Sequence, residues 1–230
     1  PEFVLFKQMF EKHGIDAIIA GPEEFVRREN CVQVGGVEVD LVYNRLTDFY
    51  LQSPACAVLR DAFQQGAVVL TPSPRTHALY ANKRLLTVLS DAALLQDLGA
   101  DEQHAAVLAQ AVPKTELVTT ENADDLWSRR RHLFFKPNWG FGSRGTYKGA
   151  KLTKKTWASI LEADYIAQEL VPPSERLLII DGDEQSMKLD VRCYVYDSEI
   201  QLLGARLYRG QTTNFRTDGG GLAAIFTTPD

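Results

Sequence analysis

Apolar and polar positions alternate between two periods along the first 73 residues. FVLFKQMFEKHG carries a helical repeat and closes on Gly14, IDAIIAG reads as a buried strand, and VEVDLVYNRL as another strand. The helix ACAVLRDAFQQG stops at Gly66 and leads into AVVLTPSP, a strand ended by two prolines. Strand and helix in turn predict a small α/β layer over residues 1–73.

HALYANKRLLTVLSD, from His77 to Asp91, predicts one helix. Ala78, Leu79, Leu85, Leu86 and Leu89 form its apolar stripe and Lys83 lies at the rim. AALLQDLG and EQHAAVLAQAV add two helices that end at Pro113, which makes 74–112 a helical connector. After Lys114 the pattern changes to LVTT, a helix over NADDLWSRR and the strand HLFFKP. KKTWASILEA then predicts a helix and YIAQEL a strand, closing a segment over 113–171.

YIAQEL runs into Val171-Pro172-Pro173. A residue before proline is pushed to extended backbone, so Glu169 to Val171 are expected as an exposed straight stretch. Such a stretch offers one carbonyl and one amide to an adenine edge, or is simply a connector stiffened by prolines.

The last segment, 172–230, contains MKLDVRCYVY at 187–196, with Leu189, Val191, Cys193 and Val195 on one face and Lys188, Asp190 and Arg192 on the other. IQLLGARLY alternates next. A three-residue turn over Asp197, Ser198 and Glu199 sets Asp190 opposite Arg206. The face holding Lys188, Asp190, Arg192 and Arg206 is then either an anion site with a metal ligand in its middle or a solvated charged face. RGQTTNFRTDGGGL follows, with Asn214, Arg216 and Gly219 to Gly221, which read as an anion-binding nest or as a flexible tail.

FFKPNWGFGSRGTYKG holds Gly140, Gly142 and Gly145 in the spacing G-x-G-x-x-G. A dinucleotide fingerprint needs a helix after its third glycine, and Thr146 to Ala150 make a poor first turn, although Asp164 stands near the distance of a ribose-binding acid. The flanks favour strand, loop, strand: a hairpin whose amides cover phosphates, with Lys136 on the leading strand. A surface hairpin with glycines for turn reasons alone is the other reading.

Composition narrows the partners. With net charge −5 and pI near 5.5, the 230 residues give no global reason to bind nucleic acid or an anionic membrane, so any anion must be held locally. No apolar run approaches the ~20 residues that cross a bilayer. Cys31, Cys56 and Cys193 are odd in number and far apart, which suggests reduced thiols packed as small hydrophobes in a cytoplasmic protein. His13, His77, His104 and His132 are too scattered for a zinc site or a triad. A chain that starts at Pro1 and stops at Asp230 is expected to be a fragment.

The order of NKRLL around Lys83, FFKPNWGFGSRG, AQELV, LDVRCYV and ARLYRGQTTNFRTDGGG resembles the ATP-grasp superfamily, most closely its glutathione synthetase and RimK-like branch. The resemblance implies two α+β subdomains clamping ATP, preceded by a small Rossmann-like domain over residues 1–73. It implies an ATP-dependent carboxylate-amine or carboxylate-thiol ligase, acting through an acylphosphate on a small-molecule or peptide carboxylate. Carried over by position, Lys83 and Lys136 contact the ATP phosphates, and Gly140, Gly142, Ser143 and Gly145 close over them. Gln168, Glu169, Leu170, Val171 and Glu175 belong to the ATP site, Glu169 and Val171 meeting adenine through backbone atoms. Lys188, Arg192 and Arg206 stabilise the transferring phosphoryl group, and Asn214 with the glycines after it cradles its end. The family's Glu-x-Asn pair is not seen, so the Mg²⁺ ligands fall to Asp190 and Asn214, with Thr212 where a glutamate would serve. Dimers and tetramers are frequent among relatives. Two alternatives keep the same cations: a non-catalytic ATP-binding module and a small-molecule phosphotransferase.

Overall fold

A computed structural model describes residues 2–210, 213–215 and 217–227. The chain mixes helix and sheet and divides into two compact units, Pro1–Leu85 and Leu86–Asp230. The division falls inside the segment expected as a helical connector.

The first unit begins with α1 (Glu2–Lys12), closed by Gly14 at φ +76°. IDAIIAG forms no strand: Ile15, Ile18 and Ile19 are about half exposed and the run joins no sheet. A short apolar run carries no periodicity that separates strand from loop, and this one finds no ladder. Instead β1 (Phe25–Arg28), β2 (Cys31–Val34) and β3 (Val37–Glu38) make an antiparallel meander. VEVDLVYNRL is split at Asp40, and its second half, β4 (Leu41–Tyr43), pairs in parallel with β5 (Val69–Thr71) across α2 (Ala57–Gln64). This strand–helix–strand crossover is the α/β layer the sequence predicts, but its parallel sheet is only two strands wide, short of a Rossmann-like layer. Phe25, Val32, Val34, Leu51, Cys56 and Leu59 form the core under it.

The helix expected over 77–91 is two. Ser73 caps α3 (Pro74–Tyr80) by accepting from the Thr76 amide, with Pro74 in the first turn. Asn82 then accepts the Arg84 amide on its side chain and the Leu85 amide on its carbonyl, a local turn that competes with the helix and delays α4 until Leu85–Leu89. In the second unit, aspartates cap α5 (Ala92–Asp97) and α6 (Glu102–Ala111), as Asp91 accepts from Leu94 and Asp101 from His104.

The next sheet has the order β6 (Thr115–Leu117), β9 (Tyr165–Glu169), β7 (Leu133–Pro137), β8 (Tyr147–Lys148), all antiparallel. Two helices, α7 (Ala123–Ser128) and α8 (Lys154–Leu161), belong to the same segment. Strand alternation sends Leu133 and Phe135 into a core with Leu126, Ile160 and Ala167, and turns Phe134 and Lys136 to the opposite face. Burying Phe135 completely stabilises this layer by about 1.5–3 kcal/mol. The core thereby decides which way Lys136 points.

A second sheet holds β10 (Ser174–Ile180), β11 (Asp183–Tyr196), β12 (Glu199–Tyr208) and β13 (Gly221–Ala224), in that order. Cys193 is exposed on β11, unlike buried Cys56, so the expectation of a packed thiol fails there. The reason is that Val191 and Val195 on the same face are themselves more than half exposed. Among the described residues no helix is long and apolar enough to cross a membrane.

Candidate functional site

The glycine stretch is a hairpin. Phe134 pairs with Lys148 and Phe135 with Tyr147, and no helix follows the third glycine. The dinucleotide reading therefore fails, because its phosphate-binding helix N-terminus is missing. Asp164, at ribose-binding spacing, accepts instead from Asn138, through its carbonyl from the Asn138 amide at 2.9 Å and through its carboxylate from the side chain. Gly140, Gly142, Ser143 and Gly145 all have positive φ (124°, 63°, 60° and 65°), which explains three glycines in six residues.

The loop is pinned at both ends and exposed between. Asn138 ties its start to Asp164. The Tyr165 hydroxyl donates to the Gly145 carbonyl at 2.9 Å and closes its end. Burial, then the nearby Tyr147, push the Tyr165 phenol above its ordinary range, so it stays a donor at neutral pH. A Cβ on Gly145 would lie 3.0 Å from that hydroxyl, so the anchor needs a glycine as much as the backbone does. Gly140 to Arg144 are exposed, with the Arg144 guanidinium 5.4 Å from the Phe141 ring centre.

A row runs across the sheet: Thr115 opposite Gln168, Gln168 opposite Phe134, Phe134 opposite Lys148. Lys136 lies two residues along β7, on the same face as Phe134 and Lys148. The Lys136 ammonium donates to Gln168 Oε1 at 2.7 Å and sits 5.9 Å from the Phe134 ring centre. Gln168 is uncharged, so this bond orients the ammonium without cancelling its charge. The face joins two half-buried lysines to a buried amide, a chemistry suited to a polyanion.

On the second sheet Asp190 does face Arg206, though not through the expected turn. The turn has two residues, Asp197 and Ser198, both at positive φ, and a bulge at Tyr194/Val195 shifts the register back by one. Arg206 Nε and one terminal nitrogen donate to the two Asp190 oxygens at 2.6 and 2.8 Å, and the Thr213 hydroxyl donates to Asp190 at 3.0 Å. The carboxylate pushes the Arg206 guanidinium further up. Lys188 donates to the Gly210 carbonyl, while Arg192 is exposed with its guanidinium 5.9 Å from the Tyr194 ring centre. The four charges share a face as expected. Their centre is an ion pair rather than an open ligand set.

Asn214 donates to the Arg209 carbonyl and accepts from the Thr217 hydroxyl. With both Asp190 oxygens engaged as well, this pair does not fit a Mg²⁺ ion, and no group of three or more His, Cys, Asp or Glu gathers among the described residues. Thr212 and Arg216 lie outside them. The three glycines make a turn into β13 rather than a nest or tail: a Cβ on Gly220 would stand 2.5 Å from the Leu207 carbonyl and one on Gly219 2.7 Å from Ile180.

At the connector after β9, the Glu169 amide donates to the Lys114 carbonyl and the Leu170 amide to that of His132. Those two amides are engaged within the sheet, and Val171, 64% exposed, is the open position. Glu175, exposed on β10, accepts from the Ser186 hydroxyl and stands opposite Lys188. In the first unit, burial pushes the Lys83 ammonium below its usual range. His77 stacks on Phe49 with ring centres 4.1 Å apart, and burial and then the charge of Lys83 lower its imidazole. Sequence reasoning missed Thr115, Tyr165 and Lys148, whose places depend on a register that no local pattern announces.

No protein-family model and no curated protein matches the chain. Among solved structures it is similar to the ATP-grasp ligase PsnB complexed with a minimal precursor, at 16% identity over 90% of this chain and 72% of that one, TM-score 0.42. A second structure of PsnB, with minimal precursor, Mg and ADP, is 16% identical over 96% of this chain and 71% of that one, TM-score 0.49.

Proposed function

We propose that the chain is an ATP-dependent ligase of the ATP-grasp kind, in which the hairpin loop Gly140–Gly145 covers the nucleotide phosphates against Lys136. The observation that carries this reading is the union of three features on one layer. A glycine loop stands between two paired strands, a lysine lies on the leading strand, and a buried neutral amide orients that lysine. A loop pinned at Asn138 and Gly145 and exposed between them presents its backbone to a polyanion with its ends fixed.

The reaction is transfer of the γ-phosphoryl group to a substrate carboxylate oxygen, with ADP leaving, followed by attack of an amine or thiol on the acyl carbon and departure of phosphate. Transfer of this kind asks for positioned cations and exclusion of water more than for a protein nucleophile. Lys136 supplies fixed charge at the phosphates, and closure of the loop keeps water from the acylphosphate. Lys188 and Arg192, on the face of the Asp190–Arg206 pair, serve the transferred group. Mg²⁺ would accompany the nucleotide; Asp190 and Asn214 as arranged do not hold it.

The engaged Asp190 carboxylate favours a second reading, a module that binds ATP without turnover. Phosphate and ADP release from ATP across a panel of amino acids, peptides and thiols separates the two. Acceptor-dependent release supports the ligase. Thermal stabilisation by ATP with no release under any acceptor supports the module and contradicts the ligase.

A further inference from the structure

We infer that Thr115 is a positioning residue for Lys136, acting through Gln168. The inference rests on the reading of Lys136 as the phosphate-binding lysine. Three hydrogen bonds carry it: Lys136 Nζ to Gln168 Oε1 at 2.7 Å, Gln168 Nε2 to Thr115 Oγ1 at 2.9 Å, and Thr115 Oγ1 to the Pro113 carbonyl at 2.8 Å. Gln168 is 7% exposed and Thr115 2%, so water does not substitute for these partners.

Every donor in this chain is forced. An ammonium only donates, so Gln168 must turn its oxygen to Lys136, and its amide nitrogen then faces Thr115. The Pro113 carbonyl only accepts, so the Thr115 proton points to it and a lone pair is left for Gln168. Without the hydroxyl, nothing but Lys136 selects one face of the Gln168 amide over the other, and a buried amide hydrogen loses its acceptor. Thr115 is itself fixed by its amide, which donates to Ser90 Oγ at 3.1 Å. Gln168 and Thr115 act on the lysine rather than on the nucleotide.

The test uses Thr115→Val, which keeps shape and removes the hydroxyl, and Thr115→Ser, which restores it. The first readout is the ¹H–¹⁵N signal of the Lys136 ammonium in the free protein, assigned by its loss in Lys136→Ala. The second is ATP affinity by calorimetry. Thr115→Val is expected to shift or broaden the ammonium signal and weaken ATP about fivefold, the worth of one buried hydrogen bond, while Thr115→Ser stays near wild type. Added to Lys136→Ala, Thr115→Val is expected to weaken ATP no further.

An unchanged ammonium signal in Thr115→Val overturns the relay whatever ATP does. Equal weakening in the Lys136→Ala background overturns it too, because Thr115 would then act through the fold. An ammonium that responds to Thr115→Val while Lys136→Ala binds ATP normally removes the phosphate role and with it the inferred function of Thr115.

Discussion

Gly149 follows β8 directly and joins the hairpin to a 3-10 turn, Gly149–Lys151. Its φ is unremarkable for an L residue, yet a Cβ there would stand 1.8 Å from the Arg130 carbonyl oxygen and 2.9 Å from that of Leu133. Both atoms are backbone, so no side chain can swing aside, and one segment must move by more than ~1 Å. Overpacking of this kind costs about 1–3 kcal/mol, against which the smaller freedom of alanine in the unfolded chain returns about 0.4–1 kcal/mol. Gly149→Ala is therefore expected to destabilise the second unit by about 1.3 kcal/mol, or roughly 3–5 °C in melting temperature. The displaced segment carries two-residue β8. Circular dichroism melts of the two proteins measure the shift. A variant that melts at or above the wild-type temperature would refute the close approach of Gly149 to Arg130.

His77 gives a pH dependence. Its imidazole is lowered by burial and then by Lys83, so the unfolded chain takes up a proton that the folded unit resists, and stability is complete above about pH 6.5 and falls as the pH drops below it. Urea midpoints of the first unit at pH 7.5 and 5.5 should differ, and His77→Gln should reduce the difference; an equal slope in the variant contradicts the assignment. Arg206→Lys replaces a bidentate contact with a single one on a partly exposed pair and is expected to cost about 1 kcal/mol. Thermal unfolding checks it, and no loss in either Arg206→Lys or Arg206→Ala would mean that the pair does not hold β11 to β12.

What the chain announced and what it hid differ by range. The hairpin at Gly140–Gly145 was legible because strand, glycines and strand are contiguous. Asp190 opposite Arg206 was also legible, but from a three-residue turn, when the molecule uses a two-residue turn corrected by a bulge. IDAIIAG misled because apolar content alone does not supply a partner strand. The Thr115–Gln168–Lys136 chain was hidden because it joins residues 53 and 32 positions apart through pairings of β6, β9 and β7. The need for Gly149 was hidden too, since it is set by the Arg130 carbonyl in another element.

The central claim is that ATP phosphates are held at Lys136 under the glycine hairpin. Calorimetric titration of wild-type protein and Lys136→Ala with ATP tests it most directly. Saturable binding that weakens by about tenfold or more in the variant is predicted, as for loss of one charge-assisted contact. Equal affinity in the two proteins, or no binding of ATP by the wild type, would contradict it.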